Sequence, residues 1–163
     1  MTPYDRGKAV AYAYKWALKR NPGYFDFNDI GGDCTNFASQ CVLAGAGIMN
    51  FTPVYGWFYR SANDRTASWT GVEFFYNFMT RKEGGPGPVM RLARLSELMP
   101  GDVIQLKFGA EVFQHSPVVV AVGLNPSPAH ILVAAHTYDA VNKPLSAYRY
   151  SALRPLHVLG VLQ

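Results

Sequence analysis

The string Gly31-Gly32-Asp33-Cys34-Thr35-Asn36-Phe37 combines a nucleophile with the local structure that would activate it. Two glycines ahead of an aspartate let the backbone turn sharply and approach another molecule closely. Asp33 is a good helix N-cap, so the Cys34 thiol falls in the first turn of the helix that follows. Unpaired N–H groups and the positive end of the helix dipole favour a thiolate there. The same N–H groups can donate to the oxyanion of an acyl-transfer intermediate. Most cysteines are small core hydrophobes, and Cys41, deeper on the same helix, reads that way. Two helical turns hold the two Cα atoms about 10 Å apart, beyond the ~7 Å reach of a disulfide. Two thiols without other suitably spaced ligands make a poor zinc site, so neither a metal nor an organic cofactor is expected.

A nucleophilic thiol needs a base, and the base needs an orienting partner. Of the four histidines, His115 stands just before Ser116-Pro117 and the apolar run from Val118, where a strand can aim it into a cleft. The runs Val118 to Val122 and Ile131 to Ala135 read as a hairpin turning near Pro126, which sets position 115 opposite 136 or 137. His136 is therefore the geometric choice for third member, and Asp139 the alternative, a better acceptor placed where the strand should be ending. His130 and His157 read as ordinary edge or surface histidines. Pro117 removes a ladder donor and points to an edge or a bulge.

The elements that must position these groups fall in two halves. Thr2-Pro3 with Asp5 reads as cap, first-turn proline and acidic first turn of a helix that Asn21-Pro22-Gly23 stops. The cysteine helix opens at Asp33 and ends at Gly45-Ala46-Gly47, with Cys34, Phe37, Ala38, Cys41 and Gly45 on its inner face. Ser68 or Thr70 caps a short third helix through Met79, and Gly84 to Pro88 reads as a loop. Beyond the turn Pro100-Gly101-Asp102, β-rich runs at Val103 to Phe108, Val118 to Val122, Ile131 to Ala135 and Leu156 to Leu162 predict strands. Helices first and an antiparallel sheet second give an α+β domain, one unit over residues 1–163.

Composition narrows the function classes. The 163 residues are 49% hydrophobic and 14% aromatic, enough for a full core and more aromatics than one core usually needs. Trp57, Tyr59 and Trp69 stand equally between groove and core. The net charge of +4 is diffuse, with a modest cluster at Arg81, Lys82, Arg91 and Arg94. No nucleic-acid signature accompanies it, so nucleic-acid binding is not expected. No apolar run is long enough to span a bilayer, and the N-terminus does not read as a signal peptide. A cytoplasmic protein and a domain of a longer exported one both fit that pattern.

With these residues in hand, the chain closely resembles a bacterial family, the putative amidase domain family, within the papain-like group that also holds NlpC/P60 and CHAP domains. The matching stretches are Tyr4-Asp5-Arg6, Ala9-Val10, Tyr12-Ala13, Lys15-Trp16-Ala17, Asn21-Pro22, Gly31 to Gln40, Ser68-Trp69, Gly101 to Ile104, His115-Ser116 and His136-Thr137. The resemblance implies a papain-like core in which the cysteine helix packs on a sheet that presents the histidine. It implies a polar third member on the following strand, in agreement with His136, and makes Asp33 and Thr35 candidates for substrate contact. It also implies a peptide or peptidoglycan-derived substrate cleaved at an amide bond, at the cell envelope or outside the cell. An acyltransferase using the same acyl-enzyme, and a silent wall-binding module of the same fold, are the competing readings. Oligomeric state is not legible.

Overall fold

Asp5 opens the first helix. Its carboxylate accepts the Lys8 N–H at 3.0 Å, and α1 runs Arg6–Trp16 in a computed structural model that describes residues 1–163. Thr2 and Pro3 lie outside the helix, contrary to the expected cap. Thr2 is instead recruited to the sheet, exchanging both backbone hydrogen bonds with Val161 at 2.7 and 2.9 Å. The gain of two long-range hydrogen bonds outweighs one extra helical turn.

The cysteine helix, α2 (Cys34–Ala46), has the bounds its glycines dictate, and Gly47 closes it in the left-handed conformation at φ 74°. Gly45 is required where α2 meets the chain ahead of α1: a Cβ there would come within 2.5 Å of the Tyr4 ring. A small hairpin of β1 (Tyr59–Ser61) and β2 (Asp64–Arg65) follows, then α3 (Ala67–Thr70) and α4 (Val72–Met79).

The remaining strands are β3 (Gly87–Leu92), β4 (Val103–Lys107), β5 (Val118–Val122), β6 (Ile131–Ala135), β7 (Ala140–Pro144) and β8 (Ala152–Leu162). They form one antiparallel sheet in the order β3-β8-β4-β5-β6-β7. The loop read at Gly84 to Pro88 ends two residues early, because Gly87 and Pro88 already pair with Leu162 and Val161. As the edge strand, β3 tolerates a proline that a central strand would not. β7, at the other edge, gives no sequence signal. The expected hairpin of β5 and β6 is present, with Val118 opposite Ala134.

Strand alternation builds two cores. Val118 and Val120 face the helices and join Ala13, Phe37, Ala38, Cys41, Trp57 and Trp69 in the larger one. Val119, Ile104, Leu106, Ile131, Val133 and Leu145 form the smaller one. Trp57, Tyr59 and Trp69 are therefore core residues, and the indoles of Trp57 and Trp69 donate to Ser39 and Asn36 on α2. Both cysteines are free thiols.

Candidate active site

The approach to α2 is built from positive-φ backbone: Gly31 sits at 83° and Gly32 at 98°. A Cβ on Gly32 would lie 3.2 Å from Thr137 Oγ1, the atom that accepts the Asp33 N–H at 2.8 Å. Thr137 and Tyr138, themselves at φ 58° and 60°, end β6 and turn that hydroxyl toward the start of α2.

Asp33 occupies the N-cap position without capping the helix through its side chain. One carboxylate oxygen accepts the Phe27 N–H (2.8 Å) and the Asn36 amide (2.9 Å), and the other meets His136 Nδ1 at 2.5 Å. The Nε2 of His136 bonds the Trp16 carbonyl at 2.7 Å, and its ring stacks on Phe37. Both ring nitrogens are thus engaged away from His115, so the structure does not bring His136 to the place expected of a third member. Asp139 does not fill that place either, because Arg20 holds its carboxylate with two hydrogen bonds of 2.8 and 3.1 Å. Asp33 and Thr35 are also turned from substrate contact. Asp33 is 1% exposed; Thr35 is fully buried, its hydroxyl 3.1 Å from that of Ser116. These four residues fix where α2 begins against the sheet.

His115 and its neighbour Gln114 line one cleft, and Cys34 lies behind Gln114. The Cys34 sulfur lies 3.7 Å from the Thr35 hydroxyl and 3.8 Å from the carbonyl of Gln114, the residue before His115. Ser116 meets Thr35 of α2, and the His115 ring lies between Tyr148 (5.7 Å between centroids) and Phe108 (6.3 Å). The backbone of His115 is held by Leu106, whose N–H donates to its carbonyl at 3.0 Å. No hydrogen bond joins the thiol to the imidazole in this resting arrangement. The cleft, of about 470 Å³, is lined by Gln114, His115, Thr137, Lys143, Tyr148 and Arg149, among others. A larger hollow of about 680 Å³ near α4 contains none of these groups. Its Asn50, Ser68 and Arg81 side chains are spent on backbone carbonyls.

Burial sets the protonation states. It pushes the Cys34 thiol up, partly offset by the hydrogen bond from Thr35. It lowers His115 to about 4, and the positive charge of Lys143 pushes the same way. Near neutral pH the resting pair is a thiol beside a neutral imidazole, which is the form a general base needs. Burial thus works against the thiolate expected there, at a sulfur only 7% exposed. Tyr148, raised to about 12 chiefly by burial, keeps its proton, and its hydroxyl is buried without a hydrogen-bond partner. The late segment that supplies Lys143, Tyr148 and Arg149 gave no local signal. No group of three or more His, Cys, Asp or Glu side chains is placed to hold a metal ion.

The reactive groups of this region are thus a thiol in the first turn of α2 and a buried histidine in the segment whose Gln114 carbonyl that thiol approaches. The chain belongs to the family described as the putative amidase domain, whose model matches residues 3–159. It is 40% identical over 140 residues to a Bacillus subtilis (strain 168) protein named uncharacterized protein YhbB. That alignment covers 84% of this chain and 42% of the relative, so the chain spans under half of that protein's length. No solved structure matches.

Proposed function

We propose that this domain is a cysteine-dependent hydrolase of amide bonds, with Cys34 as nucleophile and His115 as general base. The observation that carries the reading is the Cys34 thiol in the first turn of α2, 3.8 Å from the carbonyl of Gln114, the cleft-lining residue before His115. In the reaction, His115 takes the thiol proton as sulfur adds to the amide carbon. The first-turn N–H groups of α2 face the developing oxyanion. Collapse of the tetrahedral intermediate breaks the C–N bond, the amine leaves with the proton from His115, and water, deprotonated by His115, hydrolyses the thioester. A helix bearing the cysteine against an antiparallel sheet supports the papain-like expectation. The family resemblance favours a peptidoglycan-derived peptide as substrate, hence action at the cell envelope.

The test is incubation of the purified domain with peptidoglycan-derived peptides, following released amine and the intact mass of the protein. Cys34→Ala should abolish both turnover and the acyl adduct. His115→Ala should lower kcat by about 10²–10⁴ while leaving the fold intact. Turnover that survives Cys34→Ala would sink the proposal. Transfer of the acyl group to an added amine in preference to water would identify the acyltransferase instead.

A further inference from the structure

The chain's arginines elsewhere are largely neutralised within the fold. Arg6 pairs with Asp102, Arg20 with Asp139, Arg91 with Glu97 and Arg154 with Glu73. The cleft breaks that pattern. Lys143 and Arg149 line it, neither makes an ion pair, and no carboxylate is among the residues that line it. Lys143 is held in place, its Nζ 4.0 Å from the centre of the Tyr148 ring, and that ring packs against His115. The ammonium is close enough to His115 to influence its protonation. Two unpaired cations in a walled cleft focus field lines and raise the local concentration of anions.

We propose that the cleft selects amide substrates carrying a carboxylate close to the scissile bond, held by Lys143 and Arg149 beside His115. This rests on the assignment of Cys34 as nucleophile. A neutral peptide would leave both cations without a partner. An acidic one gains a charge-assisted pairing where solvent is partly excluded.

Paired alkylating reagents separate this proposal from the one it rests on. Iodoacetate carries the carboxylate and iodoacetamide is its neutral counterpart, so the ratio of their rates at Cys34 reads the field of the cleft. The ratio is referenced to the same protein unfolded in denaturant, at pH 8.5 and low salt. It should be raised about tenfold or more in the native protein and fall toward the unfolded value in Lys143→Gln/Arg149→Gln or in 0.5 M salt. Both substituted side chains are at least partly exposed, so melting should be little changed, and the single variants should give intermediate ratios. Rapid reaction with iodoacetamide and an unraised ratio would overturn carboxylate selection while leaving the nucleophile standing. A native Cys34 inert to both reagents would overturn the nucleophile assignment and this inference with it.

Discussion

His115 carries the consequence of being buried as a neutral base. With its folded value near 4, it remains competent well below neutrality, so kcat/KM should fall through protonation of this residue only as pH drops toward about 4. The same burial affects stability. An exposed histidine in the unfolded chain titrates near 6.5, so the unfolded state binds more protons between roughly 6.5 and 4. Stability contributed by neutral His115 is present above about 6.5 and lost as pH falls through that window. By pH 4.5 the loss amounts to about 2.5 kcal/mol. Urea unfolding at pH 7 and 4.5 should show it, and His115→Leu should remove most of the difference. An unchanged difference in that variant would place the proton uptake elsewhere.

Asp33, His136 and Arg20 act at the level of elements, joining the start of α2 to the end of α1 and the turn after β6. Asp33→Ala would leave the Phe27 N–H, the Asn36 amide and His136 Nδ1 without their acceptor, at a cost of about 3–5 kcal/mol. Thermal melting should register that loss, and His136→Ala should fall in the same direction through a lost stacking partner and a cavity. If His136 instead oriented His115, its removal would lower kcat without lowering the melting temperature. The roles of these residues hinge on partners 103 and 120 positions away, which is why the sequence led to the right neighbourhood and the wrong contacts. Local signals were better guides. The place of Cys34 in the first turn of α2 was legible from two glycines and an aspartate, and β5 and β6 from their unbroken apolar runs. β3 and β7 were not legible, because Gly87, Pro88, Asn142 and Pro144 suit only the edges of a sheet, and edge positions are set by tertiary pairing.

Across the whole molecule the helical half and the sheet half are joined, beyond their packed core and the Asp33–His136 contact, at two further places. One is the carboxylate of Asp102, fully buried, which Arg6, His157 and the Val158 N–H all approach within 2.9 Å. His157, read from sequence as an edge or surface residue, is thereby part of the clamp. The class of fold followed from the order of helical and strand-like runs. The cationic wall of the cleft did not, because it forms only when Lys143 of β7 and Arg149 in the segment after it are brought beside Gln114 and His115. The other meeting place is the antiparallel bridge between Thr2 and Val161. It sets Thr2 and Val161 side by side, so the backbone of this domain can be rejoined there. A short linker from Gln163 to Met1, with a new opening at the exposed Leu124, should yield a circular permutant. That permutant should unfold in a single cooperative transition and present Cys34 to alkylation as the parent does. A molten or non-cooperative product would mean that the β5–β6 connection is needed as a covalent link to assemble the sheet.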